Sequence, residues 1–543
     1  MKFGVLISFL LAALSSYAQA DLILHNGRIF TSNKSDLWAE SIAIKGERIV
    51  GIGNNIEVMK LKGPLTKLID LENHLVVPGF NDAHVHIGGD TPSKEIKLSS
   101  DPSGPTPWEL VSDSISKVAK RVPVNTLIQA GINSDLFEDQ RARRKLLDSI
   151  APQHPVILYA WSGHGKILNS AALAWLGINE QTYFAGGRLE RDNSGRLTGF
   201  LEEYAGYRIG SLMNEKLLVT KITEDIQAFH KYTASLGITT MQNMCTQLSA
   251  SLAKKIYSNQ RFDCRTRLIA FPISDKEGLE VSTWDGFFKP MNTINYASGV
   301  KMILDGTPLE RLSCVIQPYQ DRKSQYGRLN FGDEVLKSFM RFALSHDQQI
   351  MIHAVGDSAI STVVNAMRSL HPDAFWKHKR LRIEHACMAI MTKEDIQTMK
   401  QLGIVIVQNP AHLTEPSITF QRFDRSRLKY YESMQTLLDN QIPFAIGSDG
   451  PVNPFVNLML ATIHPDNPKE AITLQEAVIA YTLGSAYAEF TENDKGSLIK
   501  GKLADLAVLS QNIFEIAPDK LPSTESILTI LGGKVVLDRR LKK

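Results

Sequence analysis

Four histidines, a lysine and an aspartate are spread along this 543-residue chain in a pattern that suits a divalent metal. His84 and His86 stand two apart in "PGFNDAHVHI", and residues two apart on a strand share a face. Two imidazoles do not complete a metal site, so further ligands must come from elsewhere in the chain. Lys301 in "GVKMILDG", His353 in "QIMIHAVGD", His385 in "LRIEHACM" and Asp449 in "PFAIGSDGP" each lie within or at the end of an apolar run. Taken singly, each has an ordinary reading: a surface histidine pair, a core imidazole bonded to backbone, a turn-forming aspartate, a solvated amine. Taken together, they are metal-competent side chains at the ends of successive strands.

The elements that must carry them follow from the spacing of those runs. In order they are "VVPGFNDAHVH", "GITTMQNM", "TRLIAFPI", "GVKMILDG", "QIMIHAVGD", "LRIEHACM", "GIVIVQNP" and "PFAIGSDGP". Alternation with helical patterns marks parallel βα units. Eight strands close a (β/α)8 TIM barrel, whose site lies at the carboxyl ends of its strands. The barrel is expected over 77–487. "TLIQAG" and "PVILYAW" fall between the first and second barrel runs, which makes about 92–215 an insertion with its own small sheet. Residues 21–76 and 488–543 read as short strands joined by Gly-containing turns, expected to form one small β-sandwich domain from both termini.

Residues 1–20, "MKFGVLISFLLAALSSYAQA", combine an early lysine, a short apolar run and a small-residue Ala-x-Ala end. That is the pattern of a signal peptide cleaved after Ala20, and the expected location is periplasmic or secreted. No later segment is long and apolar enough to span a bilayer. The 60 basic and 57 acidic residues nearly cancel, which argues against nucleic acid as a partner. The basic run "RARRK" at 141–145 reads as a solvated helix face. Cys245, Cys264, Cys314 and Cys387 are widely spaced, without CxxC, and read as buried or near-core thiols. A homodimer is compatible with the sequence.

The barrel motifs, with "SGHGKILNSAAL", "GGRLERDNSGRLTGFLEE", "VQNPAHL" and "GSLIKGKLADLAVL", resemble the amidohydrolase superfamily. They are most similar to its family three, the branch that contains N-substituted formamide deformylases, over about residues 21–515. The resemblance implies that His84, His86 and Asp449 hold one ion and that His353 and His385 hold a second. Lys301 matches the position where many relatives carry a carboxylated lysine bridging the two. Its carbamate would be an anionic two-oxygen ligand, whereas an ammonium repels a cation and leaves one metal. Zinc is the default for imidazole-rich ligation, with one or two ions. Asp449 is the implied catalytic base and acid. His164 and Asn169 match an insertion motif expected to reach over the barrel mouth and bind substrate, although Asn169 also suits an N-cap of the helix that follows. His412 is expected to face substrate. Asp305 is expected to contact it or to orient its loop, Asp82 to support the ligands, and His464 to lie near the pocket. The sequence "GTPLERLSC" after Lys301 replaces the family's small-residue loop, a departure that bears on specificity.

The expected function is hydrolysis of a non-peptide C–N bond in a small amide, formamide or cyclic amide, by a metal-activated hydroxide. Two alternatives on the same fold are a metal-dependent ester or phosphoester hydrolase and a non-catalytic ligand-binding protein.

Overall fold

The structure, a computed structural model, describes residues 19–98, 105–274, 279, 281–388, 392–414 and 416–540. Apart from Gln19 and Ala20, the expected signal peptide lies outside the described residues. Eight parallel strands run β1 Phe80–Val85, β2 Ile238–Met244, β3 Arg265–Ala270, β4 Asn295–Ile303, β5 Ile350–Ala354, β6 Arg382–His385, β7 Val405–Gln408 and β8 Phe444–Ile446, each hydrogen-bonded to the next in that order. Most of their residues are buried, as expected of parallel strands covered on both faces. The ring closes where the Asp449 amide donates to the His84 carbonyl at 2.8 Å. Gly447 allows this approach: a Cβ there would lie 2.6 Å from the His84 backbone nitrogen.

Below the site the barrel interior is polar rather than aliphatic. Arg382 makes a bidentate pair with Glu384 at 2.8 and 3.0 Å and donates to the Ala83 carbonyl and the Gln242 amide oxygen. Arg267 donates to Gln242 and Gln349. At the base, Glu489 accepts from Asn81 and from Tyr296 and pairs with Lys495 at 2.8 Å.

A four-stranded sheet (Arg48–Gly53, Ser41–Lys45, Leu22–His25, Lys67–Asp70) packs on a six-stranded one. The second sheet runs Lys534–Asp538, Ser526–Leu531, Leu506–Leu509, Leu75–Pro78, Arg28–Phe30, Trp38–Ala39. Leu24, Ile42, Ile44, Val76, Leu506 and Ile530 share one core between them, so both ends of the chain build this sandwich. Its strand Leu75–Pro78 runs past residue 76, and the barrel begins only after Gly79. Between β1 and β2 a separate six-stranded sheet runs Gly187–Arg191, Leu197–Glu203, Gly165–Leu168, Val156–Ala160, Ile128–Ile132, Lys94–Ile96. Helix α1, Tyr204–Glu215, returns the chain from it to the barrel.

The run at 141–145 is not the solvated helix face expected of it. Arg143 is buried and pairs with Glu190 at 2.6 Å, and Arg144 pairs with Glu180 at 3.0 Å. The partner carboxylates lie tens of residues away, so the local sequence reads as more exposed than the residues are. The four cysteines are free thiols, three of them buried.

Candidate metal centre

His84 lies near the end of β1 and His86 just past it, Lys301 and His353 lie near the ends of β4 and β5, and His385 ends β6. Asp449 follows β8. All six line one cavity of about 440 Å3 at the carboxyl ends of the strands. Asp449 is central: Oδ1 lies 3.1 Å from His86 Nε2 and 3.9 Å from His84 Nε2, and Oδ2 lies 3.5 Å from His412 Nε2 and 3.9 Å from His385 Nδ1. Two sets of three donors, His84–His86–Asp449 and His385–His412–Asp449, each lie within 4.8 Å of one another. His412, expected only to face substrate, is therefore close enough to ligate. His353 completes the cluster through its ring, 4.5 Å from that of His385.

Local backbone makes this convergence possible. On a strand, neighbours point to opposite faces, yet Glu384 and His385 both serve the site. His385 at φ +68° and Ala386 at φ +49° are left-handed, which turns the His385 side chain to the mouth while Glu384 points inward. Asp449, at φ +55°, is turned similarly. Such conformations cost about 1–3 kcal/mol each and persist where the surroundings hold them. Here Asp82 does so: it accepts from the Ser448 amide at 2.8 Å, the Tyr481 hydroxyl at 2.7 Å and the His84 amide at 3.2 Å. Asp82 is thus a brace between β1 and the loop after β8. Burial pushes its carboxyl up to about 6.

The donors are set in their ligating states. His84 Nδ1 meets Glu384 Oε2 at 2.6 Å and His86 Nδ1 meets Thr246 Oγ1 at 2.8 Å, which leaves each Nε2 for the cluster. Burial, helped by the charge on Lys301, takes His84 down to about 4, and burial takes His353 and His385 well below the usual histidine range. These rings are neutral at pH 7, the form that binds metal. Burial pushes the Asp449 carboxyl up, but His84, His412 and His86 outweigh it and hold the group well below its ordinary value, ionised. Burial lowers Lys301 to about 8, and its Nζ lies 3.4 Å from His84 Nε2. The His353 Nε2 atom is buried with no hydrogen-bond partner among the described residues. A buried orphan nitrogen costs free energy unless something meets it, and with its neighbours it fits a divalent ion.

The other expected site residues separate. His164 lines the cavity, held by Glu203 at 2.9 Å and the Tyr207 hydroxyl at 3.0 Å. Asn169 does not reach the mouth. It is fully buried, caps the helix Ser170–Leu176 through the Ala172 amide, accepts from the Val156 amide and donates to the Ala151 and His154 carbonyls. With its amide fully used, its role is structural. Asp305 orients its loop and lines neither cavity: it accepts from the Val355, Gly356 and Cys314 amides at 2.9–3.0 Å and lies 3.8 Å from His353. His464 bonds to the Glu432 carbonyl away from both cavities. Glu384, Thr246, Glu203 and Tyr207 were not foreseen. Glu384 and Glu203 stand inside the motifs "LRIEHACM" and "GGRLERDNSGRLTGFLEE", but their partners His84 and His164 lie elsewhere in the chain, so the local sequence does not give their roles.

A sequence profile of the amidohydrolase family matches residues 67–537. The chain belongs to the amidohydrolase family. It is 29% identical to protein LONG AFTER FAR-RED 3 of Arabidopsis thaliana over 550 residues, which spans 95% of this chain and 91% of the relative. It is 25% identical to the N-substituted formamide deformylase of Arthrobacter pascens over 545 residues, 96% of this chain and 98% of that enzyme. Among solved structures, an uncharacterized metal-dependent hydrolase from Pyrococcus horikoshii shares the fold with a TM-score of 0.71 at 19% identity, covering 92% of this chain and 99% of the other. This amidohydrolase is therefore a hydrolase whose barrel mouth carries a donor set for a divalent metal.

Proposed function

We propose that the protein hydrolyses a non-peptide C–N bond of a small amide, formamide or cyclic amide. The observation that carries this reading is the placement of Asp449, whose two oxygens face the His84–His86 side and the His385–His412 side at once. A bound divalent ion, with zinc the first choice for this imidazole-rich set, supplies a water of pKa about 7 and a Lewis acid. Lys301, as amine or carbamate, stands beside His84 in the same cavity. Asp449 takes the proton of the attacking water and passes it to the departing nitrogen, base and acid in turn. His412, beside Asp449 Oδ2, and the His164–Tyr207 pair hold the substrate carbonyl and its substituents in place. The near end-to-end match to an enzyme named for deformylating N-substituted formamides supports the amide class.

The test is a panel of N-alkyl formamides, acetamides, cyclic amides and the matching esters, assayed with wild type and Asp449→Asn. Amide turnover that falls by roughly 10²–10⁴-fold in the variant supports the reading. Turnover of esters alone would overturn it. We also propose export, on the pattern of residues 1–20. N-terminal sequencing of the native protein should then begin at Asp21, and an intact Met1 start would contradict it.

A further inference from the structure

The reading above leaves the substrate's own chemistry open, and the cavities describe it. The metal cluster sits where two cavities meet, since His353, His385 and Asp449 line both. The larger, of about 970 Å3, is walled by Ile96, Leu98, Ile132, Leu309, Val355 and Tyr431. The smaller, of about 440 Å3, extends under the insertion sheet, where Lys166 and Gln129 face it from neighbouring parts of that sheet and Gln247 faces it from beyond β2.

These three side chains are half-buried, and none makes a hydrogen bond or ion pair with another described residue. Two carboxylates lie in this part of the molecule: Glu95 accepts from the Tyr159 hydroxyl, beside Lys166 in the sheet register, and Asp90 lines the same cavity without forming an ion pair with Lys166. Burial without a compensating carboxylate lowers the Lys166 ammonium to about 8. An unpaired ammonium on a cavity wall is costly to keep, and the two uncommitted primary amides on the walls of the same cavity are donors without acceptors. An anionic group entering this end of the cavity would meet the Lys166 ammonium, with Gln129 two strands away in the same sheet and Gln247 on the facing wall as further donors.

We propose that Lys166, with Gln129 and Gln247, is the anion-binding end of the substrate pocket. The substrate is then an amide with a carboxylate on the side of the scissile bond that enters the smaller cavity and an apolar substituent on the side that enters the larger. This rests on the hydrolase reading of the site.

A matched pair of compounds tests it: N-formylphenylalanine, in both enantiomers, and N-formyl-2-phenylethylamine, which lacks only the carboxylate. Wild type should prefer the better carboxylate enantiomer in kcat/KM by about tenfold or more, the size of one charge-assisted hydrogen bond. That ratio should collapse toward one in Lys166→Met, through KM, and recover in part in Lys166→Arg. A ratio near one in wild type, or one that survives Lys166→Met, would overturn the proposal. Cleavage of neither compound would count against the hydrolase reading alone. Calorimetric titration of the metal-loaded protein with 3-phenylpropanoate then decides: binding to wild type that is lost in Lys166→Met supports the anion site, whereas equal binding to both, or none to either, overturns it.

Discussion

Glu384 shows at the scale of a residue how the site is tuned. Its carboxylate is buried, which pushes its pKa up, but Arg382 and His84 outweigh that and hold it well below the ordinary value. It is therefore a fixed negative charge behind His84, the arrangement that orients a ligating imidazole and raises its basicity. Glu384→Gln should weaken metal affinity by about 10–100-fold, read by competition with a chromophoric chelator. Unchanged affinity would remove Glu384 from this positioning role. That His84, His86, Lys301, His353, His385 and Asp449 share one rim was legible from sequence because each lies within or at the end of an apolar run, a local signal. Glu384 was not, because its meaning depends on His84, 300 positions away. Asn169 carried two sequence readings, a substrate contact and a helix cap, and the four backbone groups around it favour the cap, which a local motif alone does not decide.

At the scale of elements, all eight barrel strands could be read from their apolar runs, since buried parallel strands need nothing else to declare themselves. Their closure could not. It depends on Gly447 lying against the His84 backbone and on Asp82 tying the loop after β8 to β1. Gly447→Ala would force a Cβ to within 2.6 Å of His84 N and Cβ. The expected result is a loss of about 1–3 kcal/mol in stability, the usual cost of overpacking, together with weaker metal binding. Calorimetric melting and metal content measure the two. A variant that melts and binds metal like wild type would show that the seam is looser than this contact.

The whole molecule is joined beneath the site as well as around it. Glu489, just past the last helix of the barrel region, ties β1 through Asn81 and β4 through Tyr296, and pairs with Lys495. Burial raises its pKa, but Lys495 and Arg267 prevail and the net shift is downward. A carboxyl with a depressed folded pKa contributes stability that is present above its unfolded value, about 4.3, and is lost as pH falls through the folded value. Glu489→Gln should therefore cost about 3–5 kcal/mol at neutral pH, as expected on breaking a buried pair. The gap in melting temperature between wild type and variant should close as pH falls below about 4. A gap independent of pH would mean that Glu489 acts through packing alone.

The central claim is that one rim of the barrel, built from residues 84 to 449 of the chain, binds a divalent metal. Inductively coupled plasma mass spectrometry of the purified protein tests it most directly. The structure predicts about one to two equivalents of a transition metal, in keeping with two overlapping donor sets, and their loss in the His84→Ala/His86→Ala double variant. Protein that is folded and free of metal after purification in metal-supplemented medium, or metal retained in full by the double variant, would contradict it.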